Sequence, residues 1–226
     1  MTVLQEIALR QSLTYAGFVT AAVLALLYAG LLSYRPTSIH RSVAVVLPTM
    51  GLLVAAFANF AAPLILIALG IAVLTDAALS RRSKPGWQSA SIGILVLQAL
   101  YFIHFLTRSS FQDLHVLPAG VVIGVALLLD INLRKLGCDL KDPLRVQGAL
   151  AAGVLLAALC LPNNPLAILG AGALLLSVQL RAVIQLRLTS PNRALIPTAM
   201  ALWFLTFVAN AAILAGAGFA QPLFSI

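Results

Sequence analysis

Residues 62–80 read APLILIALGIAVLTDAALS. At about 1.5 Å of rise per residue, a helix of this length crosses the roughly 30 Å hydrocarbon core of a bilayer. The run holds one ionisable side chain, Asp76, and stops at Arg81 and Arg82. Its polarity does not alternate with a period of two, so it does not read as a barrel strand. The rest of the chain repeats this pattern. Of 226 residues, 62% are hydrophobic and 9% charged, with a mean hydropathy of +1.05. A soluble domain is about 45–50% apolar and about 25% charged. The composition therefore excludes a soluble enzyme, a disordered chain and a nucleic-acid-binding module, in spite of a net charge of +8.

Cutting at charges, prolines and Asn/Gly breaks leaves eight apolar runs: 13–34, 42–60, 62–80, 87–107, 114–133, 146–161, 165–186 and 195–217. The expected fold is all-α, a polytopic bundle of eight transmembrane helices forming a single membrane domain over 1–226. The sixth run is the shortest, held between Arg145 and Pro162, and residues 59–63 must make a tight turn. The loops after the odd-numbered runs carry Arg35, Arg41, Arg81, Arg82, Lys84, Arg134, Lys135, Lys141, Arg145, Arg187 and Arg193. The opposite side carries Arg10 and Arg108. This asymmetry predicts a cell (plasma or inner) membrane protein with both termini outside the cytoplasm. Contact of the basic loops with anionic headgroups follows from the same arrangement. No cleavable signal peptide is expected, because the first charge is Glu6 and the first apolar run is too long for one.

Cys138 and Cys160 fall on opposite sides of this layout, and His40, His104 and His115 are scattered. Neither set predicts a disulfide, a metal site or a cofactor. Residues 62–80 and 164–182 align without gaps, matching Pro63 with Pro165, Gly70 with Gly172 and Thr75 with Ser177. Four helices separate the copies, which predicts a parallel four-plus-four repeat with the third and seventh helices facing each other.

Ionisable and amide side chains inside a span are functional candidates, since water is scarce there. They are Asp76, Gln98, Tyr101, Gln179, Arg181 and Asn210, with Asp130 at the end of the fifth run. Each also has a structural reading. Asp130 has Arg134 one turn on as an ordinary ion-pair partner. The amides can bond across helices, and Asp76 can be held by Arg181 at the same depth. Read functionally, Asp76, Arg181, Gln179 and Gln98 converge on a cavity opening toward the cytoplasm. A carboxyl group in low dielectric can stay neutral and act as a general acid. Such a cavity suits an amphiphile, tail among Leu and Ala and headgroup at the basic rim.

Several short motifs stand out: Leu47-Pro48-Thr49-Met50, Leu74-Thr75-Asp76-Ala77-Ala78-Leu79, and Gly93 to Tyr101 with Gln98-Ala99-Leu100-Tyr101 as its core. Gly170 to Ser177, Phe207-Val208-Ala209-Asn210 and Gly216 complete the set. Together they resemble the YhhN family of membrane proteins. The resemblance covers the second to eighth helices and implies a lysoplasmalogenase, which hydrolyses the vinyl ether of a lysophospholipid. It also implies Asp76 as the catalytic acid, with Tyr101 and the family positions held here by Gln98 and Asn210 about the substrate; Gln179 and Arg181 join this substrate-binding set from the polar reading above. Leu47 stands where the family has Lys, Gln98 where it has His, Val178 where it has a second Asp and Asn210 where it has Gln. With one carboxyl group in place of two, a non-catalytic lipid-binding or sensing relative is the alternative. A small-solute or lipid transporter is a third reading, suggested by the parallel repeat and the midplane polar groups.

Overall fold

Caps and prolines mark where the helices begin in the computed structural model, which describes residues 3–32, 38–81, 83–109, 116–134, 141–162, 164–186 and 195–219. Through these residues run α1 (Val3–Leu27), α2 (Ile39–Ala58), α3 (Pro63–Ser80), α4 (Lys84–Leu106), α5 (Val116–Arg134), α6 (Lys141–Leu159), α7 (Pro165–Leu186) and α8 (Leu195–Ile213). π-helical stretches, Tyr28–Leu32 and Leu214–Gly218, continue α1 and α8. Ser38 accepts from Arg41 N at 3.2 Å to cap α2, and Ser83 accepts from Gly86 N at 3.2 Å to cap α4. Pro63 and Pro165 take the first positions of α3 and α7, where a missing N–H is harmless.

There is no strand among the described residues. Among the described residues, seven helices are long and apolar enough to cross a membrane, while α5 offers a shorter apolar stretch, Leu117–Ile131. The chain is an all-helical, multi-pass membrane protein. Burial runs in the sense a bilayer requires. Leu74, Leu117, Val121 and Leu128 are exposed, while Asp76, Gln98, Gln147, Arg181 and Asn210 are buried.

The helix ends depart from the hydropathy reading in two places. α1 starts at Val3 rather than at residue 13, because Glu6 and Arg10 pair across one turn at 2.7 Å and carry the helix beyond its apolar run. α6 starts at Lys141 rather than at residue 146, taking Asp142 and Arg145 into its first turns. The short apolar stretch therefore lies in α5, not in the sixth helix, although both helices have 19 residues. Asp130 accepts from Arg145 Nε of α6, a partner 15 residues away; the side chain of Arg134 lies outside the described part. Arg35, Arg82, Lys135, Arg187, Arg193, Cys138 and His115 also lie outside the described residues.

The turn between α2 and α3 is as tight as expected. Phe60 adopts a positive φ of 51°, uncommon for an aromatic residue. The Arg10 guanidinium covers its ring at 4.2 Å and donates to Ala58 O at 3.3 Å. The π-helical end of α8 ties this turn to the next one. Ala62 N donates to Gly218 O at 2.7 Å, and Asn164 Nδ2 donates to Gly216 O at 2.9 Å. His104 Nε2 lies 2.8 Å from Ala217 O, and Arg108 donates to the same oxygen at 2.9 Å. The carbonyls that a helix end leaves open are thus filled from α4 and the α6–α7 turn. Sequential neighbours pack as α1–α2, α2–α3, α3–α4, α5–α6, α6–α7 and α7–α8, while α4–α6 and α2–α8 close the bundle.

Candidate functional site

Between α3–α4 and α7–α8 lies a cavity of about 460 Å³. Ala72, Leu97, Leu174 and Asn210 line its deep end. Arg41, Ser80, Trp87, Ile184 and Ala199 line the other, where α2, α4 and α8 begin and α3 and α7 finish. The walls are mostly apolar, with Tyr28, Trp203 and Ile94 between the polar groups. Tyr28 and Trp203 rings stack at a tilt, 4.6 Å apart.

Asp76 carries the one carboxyl group among the lining residues. It is 8% exposed, and its Oδ2 accepts from Thr49 Oγ1 of α2 at 2.6 Å. Thr49 follows Pro48, which has no N–H to give to the helix ladder. Arg181 of α7 lines the same cavity at 6% exposure. It lies within electrostatic reach of Asp76, yet no ion pair joins them among the described residues. The Arg181 Nε is buried without a hydrogen-bond partner. Thr49 therefore answers Asp76 directly, and Arg181 faces open space.

Asn210 of α8 also lines the cavity, and Tyr101 stands behind it, wholly buried, donating to Asn210 Oδ1 at 2.8 Å. Tyr101 thereby fixes the orientation of the amide without reaching the cavity. Gln98 and Gln179 are not among the lining residues. Gln98 is 0% exposed with neither amide atom partnered, and Gln179 is half-buried with its Nε2 unpartnered. Of the four groups expected to converge, the structure brings together Asp76 and Arg181, adds Asn210, and keeps the two glutamines apart. The helical period explains this. Gln98 lies one residue past Leu97, about 100° around α4, and Gln179 lies two before Arg181, about 200° around α7.

Two participants escaped the sequence reading. Arg41 was expected to be a loop cation, but it sits in the first turn of α2, 6% exposed. Its Nη1 donates to Ser80 O at 3.3 Å, its Nε has no partner, and it lines the cavity. Thr49 was seen within a motif but not as the partner of Asp76. The signal for both was present, since Arg41, Val45 and Thr49 recur at i, i+4 and i+8 and share one buried face. Ser177, Thr75 and Thr206 complete the polar lining; Ser177 Oγ donates back to Leu174 O at 2.7 Å, Thr206 Oγ1 donates to Leu202 O at 2.9 Å, and Thr75 Oγ1 is buried without a partner. Comparison of the chain with family models, with curated proteins and with solved structures finds no match to any of them.

Proposed function

We propose that the protein is a lysoplasmalogenase-like membrane hydrolase of the YhhN kind, which takes a lysophospholipid from the bilayer and cleaves a vinyl ether with Asp76 as the acid. The observation that carries this reading is a lone carboxyl group on the wall of a mostly apolar, amphiphile-sized cavity. Thr49 occupies Oδ2, leaving Oδ1 to face the ligand. In its protonated form Asp76 gives a proton to the alkenyl carbon β to the ether oxygen, producing an oxocarbenium ion at the carbon bearing oxygen. Water then adds to that carbon and returns a proton to the Asp76 carboxylate. The hemiacetal collapses to a fatty aldehyde and a glycerophospho-alcohol. One carboxyl group serves in turn as acid and base, as the acid of a retaining glycosidase does.

In this reading eight helices span a cell membrane and both termini lie outside the cytoplasm, so the cavity mouth, with Arg41 and Trp87, faces inward. A four-plus-four repeat fits the packing pattern. Exchanging α1–α4 with α5–α8 turns the α4–α6 contact into α8–α2, and both contacts occur. Gly70 and Gly172, which the repeat pairs, both face open space.

A second reading, a lipid-binding protein without turnover, draws on Val178 and Arg181. Val178 leaves no second carboxyl group, and the Arg181 cation opposes an oxocarbenium ion. The deciding assay is release of fatty aldehyde from a 1-alkenyl lysophospholipid by the purified protein in nanodiscs. Aldehyde is expected from the wild type, falling about 100-fold or more for Asp76→Asn. Absence of aldehyde from a well-folded wild type leaves the binding reading. A C-terminal reporter active only in the cytoplasm would overturn the orientation.

A further inference from the structure

The cavity holds more positive charge than it can answer. Arg41 and Arg181 are both 6% exposed, reach it from different helices, and face a single carboxyl group. Even with Asp76 ionised, one cation is left over; with Asp76 neutral, two are. A guanidinium has five N–H donors. Among the described residues, Arg41 gives one bond, to Ser80 O, and Arg181 gives none. Cations at this depth are expensive and persist where something completes them. Among the described residues nothing beyond Ser80 O does so here.

We propose that Arg41 and Arg181 form a phosphate clamp, so that the ligand of this cavity is a single-chain amphiphile whose headgroup is a phosphate ester. A fatty-acid carboxylate is planar, and one arginine satisfies it side-on. Two guanidiniums carried on α2 and α7 suit a tetrahedral anion that offers oxygens in more than one direction. Asp76 lies one turn before Ser80, the anchor of Arg41, which sets the carboxyl group deeper than Arg41 and within electrostatic reach of Arg181. A phosphate at the mouth thus leaves the first carbons of the chain beside Asp76. The aromatic groups Tyr28, Trp87 and Trp203 and the aliphatic wall take the remainder. The inference rests on the cavity being a lipid site, but needs no vinyl ether chemistry.

The chain has two tryptophans, Trp87 and Trp203, and both line the cavity, so intrinsic fluorescence reports its occupancy. The probes are a saturated 1-O-alkyl glycerophosphate, the 1-O-alkyl glycerol of the same chain, the matching fatty acid and inorganic phosphate. All are titrated into the intact protein in nanodiscs. None can be cleaved as a vinyl ether, so the result is independent of turnover. The alkyl glycerophosphate is expected to bind saturably, about 10–100-fold tighter than the alkyl glycerol, the range for charge-assisted hydrogen bonds. Arg181→Gln and Arg41→Gln should each remove most of that margin while alkyl glycerol binding stays within about threefold. Equal affinity for the alkyl glycerol or the fatty acid would overturn the phosphate assignment and leave the lipid reading intact. Equal affinity for inorganic phosphate alone would overturn the amphiphile. Binding of no alkyl compound would defeat both. The wild-type headgroup comparison decides the matter even where an arginine variant does not fold.

Discussion

Gly170→Ala should loosen the grip of α7 on α8, and Gly172→Ala should not. A Cβ at residue 170 would fall 2.8 Å from Ile213 N, 2.8 Å from Ile213 Cγ1 and 2.9 Å from Ala209 O. Two of these three atoms are backbone of α8, so no rotamer change relieves the crowding and the helices themselves must part. Overpacking of this kind costs about 1–3 kcal/mol, offset by about 1 kcal/mol of helix propensity gained over glycine. Because the clash is with backbone, the upper part of that range applies, leaving a net loss of about 1–2 kcal/mol. At residue 172 a Cβ meets nothing within 4 Å, so the propensity gain stands alone. The two alanine variants should thus differ by about 2–3 kcal/mol, or about 4–12 °C in Tm for a chain of this size. Thermal unfolding in one detergent, followed by tryptophan fluorescence, measures the gap. Equal midpoints, or Gly172→Ala melting first, would refute the close approach of the two helices. The effect also reaches the cavity. Gly170, Ser177 and Arg181 follow one face at i, i+7 and i+11, so moving α7 off α8 displaces Arg181.

Three further outcomes follow from the same geometry. Tyr101→Phe should cost about 1–3 kcal/mol by leaving the buried Asn210 Oδ1 without its donor, and adding Asn210→Leu should recover part of it; an unchanged Tm for the single variant would remove the bond from the account. Arg145→Gln should lower stability at low ionic strength through loss of the contact with Asp130 between α6 and α5, with the deficit shrinking in high salt; a deficit insensitive to salt would contradict an ionic tie. Cys160, 1% exposed at the end of α6, should resist a membrane-permeant maleimide in the folded protein and react once it is unfolded; rapid labelling of the native state would contradict its burial.

Hydropathy carried the architecture because in a membrane the length of an apolar run and the span it makes are the same physical quantity. The run at 62–80 became α3 almost residue for residue, and 165–186 became α7. It failed where helices outlast their apolar cores. Glu6 and Arg10 lengthen α1, and Asp142 and Arg145 lengthen α6, because polar residues at a helix end can satisfy one another in the interfacial region. Asp76 and Arg181 were legible as site candidates because charge inside an apolar run is rare whatever surrounds it. The glutamines were not, because their type says they need partners and their spacing alone does not say which way they turn. Arg41 was hidden for the opposite reason. A cation beside a span is ordinarily a topology signal, and only the helical stripe from Arg41 through Val45 to Thr49 tells it apart from its neighbours. The ion pair that Asp130 takes from Arg145 of the next helix was not legible, because spacing along one run says nothing of a neighbouring helix; its expected partner Arg134 has its side chain outside the described part.

The two proposals meet in the electrostatics of Arg181. A cation beside Asp76 works against an oxocarbenium ion, and Val178 offers no second carboxylate to offset it. That objection holds for the empty cavity. A phosphate ester held between Arg41 and Arg181 brings at least one negative charge of its own, and its nearest partner is the guanidinium that would otherwise oppose the reaction. With the headgroup bound, the field at the first carbons of the chain is set by the phosphate and Asp76, and the arginines are largely neutralised by the ligand they hold. The headgroup then supplies, from the substrate side, part of the stabilisation that a second acid would supply from the protein. On this account an amphiphile without a phosphate lacks more than an anchor. It leaves Arg181 uncompensated at the point where positive charge must develop, so an alkenyl glycerol fails in the chemical step as well as in binding.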